Sequence, residues 1–194
     1  MIIWLNGAFG AGKTQTAYEL NRRIPNSIIY DPEQIGFFIN RNIPKELNKG
    51  DFQNHPIWRE LNYTTLKYIH NEYKGIIIVP MTIVNPQYFE EIVGKLREDG
   101  VIVNHFVLWA NKDTLQKRLR SRGEKKNSWG EQQINRCLEG LSNAMFDNQI
   151  ETDEMTIEQV SETIAATLDI PLQQDKRNQF KKKLDRMIMQ IKRV

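Results

Sequence analysis

The chain has 194 residues, 40% hydrophobic and 26% charged, with a formal net charge of +3. That length suits one domain with a full core, and no apolar run is long enough to cross a bilayer as a helix. The charge is uneven: eight Lys and Arg against one Asp from Lys176 to Val194 place +7 in the tail and −4 in the rest, which argues against a basic nucleic-acid-binding body. Cys137 is the only cysteine, so an internal disulfide is impossible and a reducing, ATP-containing cytosol is the expected compartment.

Ile2-Ile3-Trp4-Leu5 predicts a strand, and Thr14 to Arg23 a helix with Ala17, Leu20 and Ile24 on one face. With the strand starting at once, no cleavable signal peptide is expected. Between strand and helix, Gly7-Ala8-Phe9-Gly10-Ala11-Gly12-Lys13-Thr14 matches G-x-x-x-x-G-K-[ST] at every fixed position. The glycines let successive N–H groups turn toward phosphate oxygens, and the helix start adds its positive dipole end. ATP is the expected cofactor, cradled by Gly7, Ala8, Phe9, Gly10, Ala11, Gly12, Lys13, Thr14 and Gln15. Lys13 is placed to reach the β- and γ-phosphates, and the Thr14 hydroxyl to meet Mg2+. A dinucleotide fingerprint from Gly10 fails, because Gln15 stands where its last glycine belongs.

Pro25-Asn26 predicts a turn and Ser27 to Tyr30 a second strand ending at Asp31-Pro32-Glu33. An acidic residue at the carboxyl end of a parallel strand faces the ligand crevice. Asp31 is therefore a candidate general base for an acceptor hydroxyl, or a magnesium partner through water. It also suits the N-cap of the next helix, with Pro32 at the first helical position. Glu33 to Asn42 predicts that helix, and Ile57 to Tyr73 a longer one after an irregular stretch. The insert from about 33 to 73 is rich in aromatics and suits a cover for an acceptor. Phe37, Phe52, Trp58, Arg59 and, after the third strand, Thr82 are candidate acceptor contacts, although any single aromatic reads first as core. His55, next to Pro56, is expected at the surface.

Gly75 to Val79 predicts a central strand buried on both faces. It ends at Pro80-Met81-Thr82, where many P-loop enzymes carry a magnesium-linked Asp. Thr82 is the nearby polar replacement, so more weight falls on Asp31. Asn85-Pro86 begins a helix that Gly100 ends, Val101 to Trp109 is a fourth strand, and Asn111 caps the next helix. Arg118, Arg120 and Arg122 then lead into the charged loop Gly123 to Gly130, which reads as a lid over ATP, near 122–130. Arg118 and Arg122 share a helix face and are candidates for stabilising the transferring phosphoryl group; a solvated helix face is the alternative. Helix resumes from Glu131 to Leu141, with Cys137 as a small apolar residue. Gln149 to Asp153 is a candidate fifth strand, and Thr156-Ile157-Glu158-Gln159 a capping box opening a last helix.

Residues 1–171 thus read as a P-loop kinase-like domain: a three-layer α/β/α fold with a parallel sheet of about five strands. Residues 172–194 follow as a basic amphipathic helix with Phe180, Leu184, Met187, Ile188 and Ile191 at helical spacing. Such a helix suits either an anionic membrane surface or docking on its own domain.

The chain resembles the bacterial ATP-binding tunicamycin resistance proteins nearly end to end. The resemblance runs through Met1 to Trp4, Gly7 to Thr16, Tyr30-Asp31-Pro32-Glu33, Asp51-Phe52-Gln53, Ile78 to Val84 and Lys126-Asn127-Ser128-Trp129. It is more distantly similar to small P-loop kinases such as chloramphenicol phosphotransferase and shikimate kinase. In those an Asp after the second strand is the base and lid arginines handle ATP, positions held here by Asp31 and by Arg118 and Arg122. The resemblance implies protection against tunicamycin, a lipid-bearing uridine nucleoside, and peripheral association with the inner face of the cell membrane. Three functions stay open: phosphorylation of tunicamycin or a related nucleoside, ATP-gated sequestration of the drug without transfer, and a general nucleoside or metabolite kinase.

Overall fold

The computed structural model describes residues 1–146, 148–178, 181, 182, 184 and 185. Five strands, β1 (Ile2–Gly7), β2 (Ser27–Ile29), β3 (Ile76–Pro80), β4 (Val103–Trp109) and β5 (Gln149–Glu151), form one parallel sheet in the order β2-β3-β1-β4-β5. Between them run α1 (Lys13–Arg23), α2 (Glu33–Asn42), α3 (Pro56–Glu72), α4 (Pro86–Phe89), α5 (Lys95–Glu98), α6 (Lys112–Ser121) and α7 (Trp129–Leu141), and α8 (Ile157–Thr167) follows β5. A π-helical stretch, Glu90–Gly94, joins α4 to α5 without a break in the helix.

The apolar runs in the central strands are explained by two cores, one on each face of the sheet. Side chains alternate along a strand. Ile2 and Trp4 of β1, with Ile77 and Val79 of β3, therefore join the core under α2 to α5. Ile3 and Leu5, with Ile78, join the core under α1, α6, α7 and α8. Covered on both faces, β1 is buried at every position. This is the three-layer α/β/α fold expected from the order of elements.

Element ends follow local chemistry. Asn85, Asn111, Ser128 and Thr156 each accept a backbone N–H at the start of a helix. Thr156 and Gln159 complete the capping box, and Gly100 turns out of α5 at φ +81°. His55 departs from expectation. It is 6% exposed, because it stands at the N-cap of α3 with its carbonyl accepting from Trp58 N. Cys137 is buried in the second core, and burial pushes its thiol pKa up. Phe180, Met187, Ile188 and Ile191 of the expected tail stripe lie outside the described residues.

Candidate functional site

The glycine-rich loop sits at the carboxyl end of β1, between the two outer halves of the sheet. Gly7, Gly10 and Gly12 all have positive φ. At Gly10, φ is +88° and an added Cβ would stand 2.8 Å from Leu115 O, so the loop has neither the backbone freedom nor the space for a side chain there. α1 starts from the left-handed Gly12 with no side-chain cap and no acidic residue in its first turn. Its leading N–H groups thus point at the loop and suit an anion. Lys13 Nζ donates to the carbonyls of Gly7 at 2.9 Å and Ala8 at 3.0 Å, curling the ammonium over the loop. This cradle fits a nucleotide phosphate chain.

Asn6, one residue before the motif, locks the loop to β3. It is fully buried; Gly7 N and Ile83 N donate to its Oδ1 at 2.9 and 3.0 Å, and its Nδ2 donates to Ile83 O at 2.8 Å. The motif reading passed over Asn6, although a lone amide at the end of an apolar strand is an informative signal. Thr82 belongs to the same weld. Its hydroxyl donates to Gly7 O at 2.8 Å, so it braces the loop from the end of β3.

On one side of the loop lies a cavity of about 530 Å³ lined by Gly10, Ala11, Gly12 and Gln15, by Arg118, Ser121 and Arg122, and by Thr152 and the start of α8. Arg118 and Arg122 are thus brought to one wall, as their spacing predicts. Arg118 is held there by Thr152, to whose hydroxyl it donates at 3.1 Å and whose carbonyl it also meets. Thr152, Glu158 and Lys182 complete this cavity.

On the other side lies a smaller cavity of about 170 Å³, lined by Phe9, Glu33, Phe37, Asp51, Phe52, Gln53, Met81, Thr82, Trp129 and Arg136. Its walls come from the phosphate loop, the insert, the end of β3 and α7. Phe9 meets Trp129 edge to face at 5.0 Å, and Phe37 meets Phe52 at 6.4 Å. Asp51 caps the turn at Phe52–Asn54 and lies 3.7 Å from Arg136 across the cavity mouth. Gln53 Nε2 donates to Thr82 O at 3.0 Å, tying the insert to the strand that braces the loop. Gly36 serves this packing, because a Cβ there would stand 2.5 Å from the Phe52 ring.

Of the expected acceptor contacts, Phe37, Phe52 and Thr82 reach this cavity and Trp58 and Arg59 do not. Trp58 is fully buried in the core and donates from Nε1 to Pro32 O at 3.1 Å. Arg59 is 6% exposed, paired with Glu91, bonded to Gln53 O and stacked 4.1 Å over the Tyr88 ring. Its partners are all internal, so it fixes the insert to the π-helical stretch. Asp31 stands at the carboxyl edge just after β2, and its Oδ1 accepts from Glu33 N at 3.1 Å, but the N-cap position of α2 falls to Pro32, one residue later than expected. Glu33 and Asp51 are the acidic residues that line the cavity, and Asp31 is not part of its lining. Among the described residues no group of three or more His, Cys, Asp or Glu is placed to hold a metal. Mg2+ needs only one or two protein ligands beside phosphates, which Thr14 and Asp31 suit by chemistry.

The stretch Lys126-Asn127-Ser128-Trp129 is a hydrogen-bonded entry to α7. Asn127 takes φ +62°, Ser128 accepts from Glu131 N, and the Glu131 carboxylate accepts in return from Asn127 N. Ser128 Oγ donates to Glu124 at 2.7 Å and Arg120 pairs with Glu131 at 3.1 Å. This frame aims Trp129 at Phe9.

Comparison with solved structures places the arrangement among known folds. The chain is similar to the Deinococcus radiodurans tunicamycin resistance protein, with 33% identity over 90% of this chain and 98% of that one, at a TM-score of 0.77. It shares its fold with shikimate kinase from Bacteroides thetaiotaomicron (18% identity, 88% and 99% covered, TM-score 0.61). It shares it also with the Mycobacterium tuberculosis APS kinase solved with AMPPNP and APS (12%, 87% and 96%, TM-score 0.55). A comparison with curated proteins found no match. The AAA domain family matches residues 2–143. With that match and the Deinococcus identity taken over nearly the whole of both chains, this protein belongs to the AAA domain family and to the family of the tunicamycin resistance protein.

Proposed function

We infer that this protein is an ATP-dependent phosphotransferase that protects its cell by phosphorylating a hydroxyl of tunicamycin or a related nucleoside. The kinase-like nucleotide-binding fold stands on the family and the sheet order. The single observation carrying the rest is the pair of cavities on opposite sides of one phosphate loop. One is lined by Gly10, Ala11, Gly12 and Gln15, and the other reaches the loop through Phe9 and Thr82. A nucleotide in the first directs its terminal phosphate toward an acceptor in the second.

Mg-ATP, when bound, supplies the phosphoryl group. Lys13, Arg118 and Arg122 then offset phosphate charge, with Arg118 preset by Thr152. Thr14 and Asp31 are the residues that would hold Mg2+, which would offset charge on the phosphates. Asp31 takes the proton from the acceptor hydroxyl as its oxygen bonds to phosphorus and the bond to the leaving ADP oxygen breaks. Phe37 and Phe52 supply an apolar wall, and Phe9 with Trp129 closes it. At about 170 Å³ the acceptor cavity is smaller than a drug-sized pocket. It takes a ring-sized portion of the acceptor, and the rest extends past the exposed Trp129. We place the protein in the cytoplasm, with its basic tail able to meet the anionic inner face of the membrane, where an acylated drug partitions.

The test is mass spectrometry of tunicamycin after incubation with the protein and Mg-ATP, beside Lys13→Ala. A product heavier by one phosphoryl group, absent in the control, establishes transfer. Bound but unmodified drug supports a second reading, ATP-gated sequestration. That reading is favoured by one observation: the end of β3 carries Thr82, occupied in bracing Gly7, where a magnesium-linked Asp is common.

A further inference from the structure

Among the residues that line the nucleotide cavity is Lys182. It comes from the segment after α8, which runs back along α1. At the C-terminal end of α1, Gln173 N donates to Arg23 O at 2.8 Å and Arg23 Nε donates to Gln173 O at 3.0 Å. At mid-helix, Arg177 donates to the Glu19 carboxylate at 2.6 Å. Near the first turn of α1, Lys182 reaches the cavity that Gln15 also lines.

Arg177 is the pin of this docking. Its guanidinium also donates to both oxygens of Asp175, at 2.9 and 2.8 Å, and to Asp185 at 2.8 Å. The side chains of Arg177, Asp175 and Glu19 are 11%, 8% and 5% exposed, so this is no loose surface pair. Glu19 is a buried carboxylate on the helix that carries the phosphate loop, and it is compensated by Arg177 and by Arg22 at 2.9 Å. Lys182 Nζ lies 3.1 Å from Asp175 and 3.3 Å from Glu158, a cavity wall in the first turn of α8. An ammonium carries three donors, and these carboxylates take two of them.

We propose that the C-terminal segment is a working part of the nucleotide site. Arg177 fastens it to α1, and Lys182 closes the cavity over the nucleoside end of a bound nucleoside triphosphate and donates its third N–H there. This rests on the reading of the glycine-rich loop as the nucleotide site. By linkage, a nucleotide that gains from the docked segment tightens that docking by the same factor.

The test is equilibrium titration of the full chain with a fluorescent ATP analogue and Mg2+. Lys182→Ala weakens binding by about tenfold, the worth of one charge-assisted hydrogen bond, with melting temperature unchanged. Lys182→Arg keeps most of the affinity, and Arg177→Ala loses at least as much as Lys182→Ala. In the unmodified chain, AMPPNP slows tryptic cleavage after Lys176 and Arg177. If Arg177→Ala fails to fold, Lys182→Ala decides alone. Equal affinity in Lys182→Ala and the unmodified chain, with Lys13→Ala defective, overturns the proposal and leaves the nucleotide site standing. Absence of binding by the unmodified chain overturns the nucleotide site itself, and this proposal with it.

Discussion

Asn6 shows how one amide can hold a phosphate loop in place. Two of its three bonds cross from β1 to Ile83 after β3, the third holds Gly7 N, and none is open to water. Asn6→Ala leaves two N–H groups and a carbonyl buried without partners. It should cost about 3 kcal/mol, read by urea denaturation. Asp31 and Glu33 pose a different question, which of two neighbouring carboxylates takes the acceptor proton. Asp31→Asn should lower phosphoryl transfer by about a hundredfold or more while leaving ATP affinity nearly unchanged. Glu33→Gln should affect mainly acceptor KM. The reverse pattern would reassign the base to Glu33. His105 is a third case. It lies between Phe89 and Phe146, 2% exposed, with no partner for Nε2 among the described residues, and burial pushes its pKa down to about 3. The unfolded chain binds this proton below about pH 6.5 and the folded one does not. Stability is therefore full above pH 6.5 and falls as pH drops toward 3. At pH 5.5 the loss from this residue is about 1.4 kcal/mol. His105→Leu should flatten that part of the stability–pH profile.

At the scale of elements, the acceptor cavity is an agreement between the insert and α7 across the phosphate loop. Asp51 faces Arg136, Gln53 holds Thr82, and Trp129 meets Phe9. Trp129 is 55% exposed, so removing it takes little from the core. Trp129→Ala should shift stability by less than about 1 kcal/mol. It should raise acceptor KM severalfold without altering nucleotide affinity. An equal loss in both would mean that Trp129 governs the nucleotide side as well.

For the whole molecule, the order of strands puts β1 at the centre and its loop between two cavities, so that occupancy of one reports on the entire fold. An ATP analogue at a hundredfold its Kd should stabilise the chain by about 2.7 kcal/mol, and Lys13→Ala should abolish the effect. Among the described residues no helix is long and apolar enough to cross a membrane. The membrane contact proposed for the basic tail has an electrostatic part. Pelleting with anionic vesicles should fall steeply between low salt and physiological ionic strength.

Much of this was legible in the chain of residues itself. The strand–loop–helix order around Gly7 to Thr14 needs only local chemistry, and so do the caps at Asn85, Asn111 and Thr156. The two-faced burial of β1 and β3 follows from their continuous apolar runs. Sequence alone could not separate Phe37 and Phe52, which line a cavity, from Trp58, which fills the core, because all three are aromatics of one amphipathic insert. It gave no sign that His55 is buried or that Arg59 spends its charge on Glu91, since those partners lie far along the chain. Local patterns report on neighbours in sequence. Which side chains share a cavity is decided by contacts across the sheet, and Lys182 meets the phosphate-loop cavity only because the chain turns back along α1.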